Sequence, residues 1–149
     1  MKYLLVVFFV FIAIGTFAQY DTILENSYIK MLDKRYQDLM PIEGIWMLEK
    51  NKTITKGKEI VSNQKTQTRV AIYSAGKIYV VTHLSKEFHA TEQLTMLHDD
   101  EFLFERPADQ ISASAILQGV QLRINLVSDL GGRQIEKEDL IFYKEVIDV

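Results

Sequence analysis

Apolar residues along this chain change their spacing once, near Pro41. Before it they recur every third or fourth position, at Leu24, Tyr28, Met31, Leu32, Tyr36 and Leu39, while Glu25, Asn26, Lys30, Lys34 and Asp38 occupy the other positions. That is the stripe of one helical face, and it predicts an amphipathic helix over 22–39. Thr22 with Glu25 three residues later forms a capping box, in which each residue satisfies an otherwise orphaned amide at the helix start. Pro41 disfavours helical geometry at Met40 and ends the element. A helix striped in this way needs a surface, so it is expected to flank or plug the rest of the domain. The alternative is a helix offered to a partner protein.

After Pro41 the period is two. Strands are predicted at 42–50, weakly at 59–64, and then at 66–73, 77–84, 88–97, 101–106, 111–117, 120–128 and 133–146. The polar run 52–57 is expected to be a turn. Ser74-Ala75-Gly76, His98-Asp99-Asp100, Gln118-Gly119 and Leu130-Gly131-Gly132 have the residues of tight connections. Alternation is cleanest at 120–128, with Val120, Leu122, Ile124 and Leu126 on one face and Gln121, Arg123 and Asn125 on the other. Pro107 stops the 101–106 run, because proline cannot donate to a ladder. Sequential hairpins with one apolar face describe a meander, and a meander of this many strands removes its exposed edges by closing on itself. The predicted fold is all-β: an eight- to nine-stranded antiparallel up-and-down barrel preceded by one amphipathic helix. A two-sheet sandwich is the second choice.

The first residues change the picture of where the protein works. Met1-Lys2-Tyr3 is followed by an apolar run to Ile14 and then by Gly15-Thr16-Phe17-Ala18-Gln19, the layout of a secretory signal peptide cut after Ala18. The run is shorter than the ~20 residues needed to span a bilayer, so no membrane anchor is expected after cleavage. The expected organisation is a signal peptide at 1–18, a helical segment at 19–41 and a barrel at 42–149. The chain has no cysteine, hence no lipid-anchor cysteine and no disulfide. These features suit export in a Gram-negative bacterium, to the periplasm or as a secreted protein. Formal net charge is −3, with both signs interspersed. Nucleic acid is excluded as the main partner, since it would require a basic stripe, and no polybasic patch points to an anionic membrane.

The chain's only tryptophan stands in Gly44-Ile45-Trp46, at the head of the first predicted strand. Gly-x-Trp there, after a short helical lead-in and before a meander, resembles the lipocalins and the small bacterial lipocalin-like (calycin-type) barrels. The resemblance implies that Trp46 lies across a closed barrel end and that a basic side chain near the end of the last strand covers its indole. Lys144 is the candidate for that side chain, with Arg133 a poorer one because it falls in the preceding turn. Gly44, Trp46 and Lys144 would then be a structural latch. No Thr-Asp-Tyr tripeptide of the lipocalins proper occurs in the chain.

Residues that carry chemistry are sparse. His83 and His89 flank Ser85-Lys86-Glu87 and could approach each other at a barrel rim with Glu87, but solvated turn histidines are the simpler expectation, and no metal is assigned. Glu92 shares a predicted face with Phe88, Ala90, Leu94 and Met96. If that face is inward, it is a buried carboxylate that needs a partner, for which Arg69 and Arg123 are the candidates. No nucleophile motif, phosphate-cradling loop or dinucleotide fingerprint is present, so neither an enzyme nor a cofactor is expected. The expected function is binding of a small apolar or amphipathic molecule inside the barrel, with Glu92, Arg69, Tyr79, Phe104 and Arg123 as candidate contacts. The rival is a filled barrel that serves as an interaction module for an envelope protein, which the supply of aromatic residues favours.

Overall fold

The computed structural model describes residues 27, 29–32, 38–84 and 92–145. The expected signal peptide, most of the predicted helix, the histidine at 89 and the glutamate at 87 lie outside them. Eight strands run in chain order: β1 (Gly44–Lys56), β2 (Glu59–Ala75), β3 (Ile78–His83), β4 (Glu92–Met96), β5 (Glu101–Arg106), β6 (Ile111–Gln118), β7 (Gln121–Gly131) and β8 (Gln134–Lys144). Each pairs antiparallel with the next, and β1 also pairs with β8, which closes an up-and-down barrel. Closure excludes the sandwich.

The strands differ in length from expectation at one place in particular. Residues 52–57 are not a turn, because β1 continues to Lys56, and the two runs expected at 59–64 and 66–73 are a single strand. The reason is visible in the pairing. Lys52 opposes Gln64 on one side and Glu138 on the other, so these residues continue ladders outward from the barrel. Few of their side chains meet a core, and their polar character disguises a strand as a turn. The actual reversal is the two-residue link at Gly57 and Lys58, with Gly57 at φ 61°. The β7–β8 turn puts Arg133 itself at φ 65°, at the end of the barrel opposite Trp46.

Register assigns one inward face throughout. Trp46, Leu48, Val70, Ile72, Val81, Leu94, Phe102, Phe104, Ala115, Leu122, Ile124, Leu140 and Phe142 form one buried cluster. Tyr79 packs against it, edge-on to Phe102 with ring centroids 6.1 Å apart. The opposite face of β1 and β2 is also buried in one patch, where Ile45 and Ala71 pack with Leu84, Leu32 and the flanking Ile29, Met31 and Leu39. The described helical residues, 29–32, therefore lie against the outside of the wall. An apolar stripe on the helix and two apolar residues on the wrong parity of the strands satisfy each other.

One end of the barrel is sealed by the chain just before β1. The backbone N–H of Glu43 donates to the Met40 carbonyl at 2.9 Å, which makes a turn through Pro41 and buries Ile42 in the core. The Glu43 carboxylate accepts the backbone N–H of Met40 at 3.0 Å and that of Ser74 at 2.9 Å, tying this turn to β2. Trp46 is fully buried, and its indole N–H donates to the Ile42 carbonyl at 3.0 Å. Lys144 stands with its Nζ 5.5 Å from the Trp46 ring centroid and donates to the Pro41 carbonyl at 2.6 Å. Gly44 sits at φ 151°, where a side chain is strained, and a Cβ there would come 2.9 Å from Cε of Lys144. Burial lowers the Lys144 ammonium's pKa below its ordinary value, partly offset by Glu43.

Candidate functional site

At the other end the inward face turns from apolar to charged. The same alternation that buries Leu48, Leu94, Phe104 and Leu140 brings Lys50, Glu92, Arg106 and Glu138 to the inside, because each lies two residues along its strand from one of them. Together with His83 they ring the interior between the aromatic core and the mouth. Arg106 is the hub. Its Nε and Nη2 donate to Oε1 of Glu92 at 3.1 and 3.0 Å. Its Nη1 and Nη2 donate to the two oxygens of Glu138 at 3.2 and 2.9 Å. Lys50 Nζ stands 2.9 Å from Glu138 Oε1, the oxygen that also accepts from Nη2 of Arg106. The Arg106 guanidinium also lies 5.8 Å from the Phe104 ring centroid, where charge network and aromatic core meet.

These charges are well shielded: side-chain exposure is 12 % for Arg106, 11 % for Glu92 and 4 % for Glu138. Burial pushes the Glu92 carboxyl up, but His83 and Arg106 outweigh it and hold the group below its ordinary pKa. Glu138 behaves alike, with burial overcome by Arg106 and Lys50. Arg106 is shifted up, since burial is outweighed by its two carboxylates. All three are therefore charged at neutral pH. One atom is left over. Oε2 of Glu92 is buried and has no hydrogen-bond partner among the described residues, its neighbour Nε2 of His83 standing 3.7 Å away.

Beside this network is a cavity of about 230 Å³, partly open to solvent. Leu48 and Leu140 give it an apolar floor; Lys50, Thr66, Thr68, His83, Glu92 and Arg106 form its walls. No family model, no curated protein and no solved structure matches the chain. What the geometry itself gives is an eight-stranded antiparallel closed barrel, consistent with the calycin type, sealed at one end and hollow near the other.

Of the residues singled out from sequence, Glu92 does face inward and lines this cavity. Its predicted partners are not its partners. Arg69 opposes Met47 on the outer face and forms a two-pronged pair with Glu145, at 2.9 and 2.7 Å. Arg123 is also on the outer face, where its Nε donates to the Gln121 side chain at 3.0 Å. Strand parity is the reason in both cases, since an odd register step carries a side chain through the wall. Tyr79 and Phe104 point inward but belong to the packed core and do not line the cavity. Among the described residues no cluster of histidine and carboxylate side chains has the makings of a metal site.

Arg106, Glu138 and Lys50 were missed. A signal existed for two of them. Arg106 keeps the parity of Phe102 and Phe104, and Glu138 that of Leu140 and Phe142. Opposite charges at the same relative position, each extending an aromatic-bearing stripe, are what a buried pair looks like in sequence.

Proposed function

We propose that this is an exported, non-enzymatic barrel of lipocalin-like character that holds one small amphipathic molecule in the cavity between its aromatic core and its mouth. The observation that carries this is the cavity itself, with an apolar floor and polar walls inside a barrel whose other end is closed. Eight strands leave an interior that side chains can just fill or that one small ligand can share. Here the two outcomes divide the barrel: Trp46, Phe102, Phe104 and Phe142 fill one half, and the other half stays open. At about 230 Å³ the space falls below the ~300–1,000 Å³ of drug-sized sites, so the occupant is smaller than a long-chain lipid. Catalysis has little support. Glu92 is engaged by Arg106 and held below its ordinary pKa, which makes it a weak base at neutral pH.

Native mass spectrometry of the mature protein, isolated gently from exporting cells, tests the proposal. The expected spectrum contains the protein plus a small adduct that denaturation releases. A protein that carries no adduct, and takes up none when exposed to small amphiphiles, would overturn it. A second reading has one observation in its favour: an outward groove on β6 and β7, formed by Ser114, Ile116, Gln118, Arg123 and Asn125, with Ile116 and Val127 exposed on the same wall. A groove of this kind suits contact with an envelope protein, and such a partner would then bind the outside of the barrel.

A further inference from the structure

The walls of the cavity carry information about the polar part of its occupant. Apart from His83, whose charge depends on its protonation, the two wall cations, Lys50 and Arg106, are balanced by the wall carboxylate of Glu92 and by Glu138, which does not line the cavity but pairs with both cations. Such a site is charge-balanced before anything binds. A ligand with a net charge of either sign would leave that charge uncompensated where water is scarce, and uncompensated charge in such surroundings is costly. Within the balanced set two groups have unused capacity. Glu92 Oε2 is an acceptor with no hydrogen bond among the described residues. Lys50 Nζ has three protons and one partner, Glu138, among those residues, and at 35 % exposure it is reached from the mouth. The Thr66 and Thr68 hydroxyls stand on the same wall as Lys50, since Lys50 pairs with Thr66 and Leu48 with Thr68 across β1 and β2.

Resting on the binding function proposed above, we infer that the occupant is a small zwitterion with an apolar side group, of the chemical class of a free aliphatic amino acid. Its ammonium is the missing donor to Glu92 Oε2. Its carboxylate is taken by Lys50 with the two threonine hydroxyls, and its apolar group rests on Leu48 and Leu140. Occupancy requires the His83 imidazole, which stands next to Oε2, to turn aside. Both charges of the ligand are matched, and the site stays neutral when filled.

Three molecules of nearly equal size separate this from its alternatives: L-leucine, 4-methylpentanoate, which lacks the ammonium, and 3-methylbutylamine, which lacks the carboxylate. Each is titrated into the mature full-length protein by calorimetry. The zwitterion is expected to bind about tenfold or more tightly than either analogue, the discrimination of one charge-assisted hydrogen bond. Glu92→Gln should abolish the preference for leucine over the carboxylate, and Lys50→Met should abolish its preference over the amine. Equal binding of leucine and one analogue to the unmodified protein would overturn the zwitterion assignment, as would leucine binding unchanged by both substitutions while Trp46 fluorescence reports an intact fold. If none of the three binds but 1-butanol does, the zwitterion assignment falls and the binding cavity stands. If nothing binds, both fall.

Discussion

Arg106→Met is the perturbation that bears hardest on the charged half of the barrel. Arg106 makes four hydrogen bonds, two to Glu92 and two to Glu138, and methionine keeps much of its length with no donor. The substitution leaves Glu92, at 11 % exposure, with His83 at 3.7 Å as its remaining neighbour, and leaves Glu138, at 4 %, with Lys50 alone. Removing one partner of a buried pair costs ~3–5 kcal/mol. Lys50 is a third exposed and offsets only part of the Glu138 share, so a loss of ~3–5 kcal/mol at pH 7 is expected. The pH dependence gives the sharper test. In the unmodified protein both carboxyls titrate below the ordinary glutamate value, about 4.3. Their stabilisation is therefore complete above that value and is lost as pH falls through the folded-state values. In Arg106→Met burial is opposed only by His83 at Glu92 and by Lys50 at Glu138, so both carboxyls titrate higher than in the unmodified protein and the variant loses less stability as they protonate. The gap between the two proteins should narrow from ~3–5 kcal/mol at pH 7 to ~1 kcal/mol near pH 4. Urea unfolding followed by Trp46 fluorescence at the two pH values measures it. A loss under ~1 kcal/mol at pH 7, or the same loss at both pH values, would refute the assignment of Arg106 as the hub.

Three other substitutions test the rest of the frame. Trp46→Ala removes a fully buried indole and its hydrogen bond to Ile42, and should lower unfolding free energy by ~3–5 kcal/mol in urea titrations followed by circular dichroism. Gly44→Ala forces a Cβ at φ 151° against Cε of Lys144; a loss of ~1–3 kcal/mol is expected, and Gly76→Ala, whose Cβ would meet nothing within 4 Å, should lose less. Leu32→Ala should cost ~2–3 kcal/mol and speed amide exchange at Ile45 and Ala71, the wall residues it packs with.

The barrel was legible because it follows from period-two alternation and turn chemistry, both local properties. Residues 101–106 and 111–117 show this best, with β5 matching its predicted limits and β6 longer by one residue. Residues 52–57 were not legible, since a strand that leaves the core loses the alternation that marks it. The site divides along the same line. Glu92 could be picked out by its parity with Leu94 and Met96. Its partner Arg106 carried a signal too, the parity of Phe102 and Phe104 on β5, the strand hydrogen-bonded to β4. That Glu138 of β8 joins the pair could not be read, because which strands face one another across a barrel depends on closure and tilt. Arg123 had the parity of Gln121 and Asn125 on its own strand, so its outward position was already implied. A ring of five polar side chains drawn from β1, β3, β4, β5 and β8 has no trace in any contiguous motif.

Amide chemical-shift mapping of the protein tests the account most directly, with 1-butanol and then L-leucine as titrants. Shifts are predicted at Leu48, Thr68, His83, Glu92, Arg106 and Leu140, with the Trp46 indole N–H, hydrogen-bonded at the sealed end, unmoved. Silence at those six positions with both titrants, or shifts gathered instead at Ile116, Arg123 and Asn125 on the outer wall, would contradict a barrel that binds at its mouth.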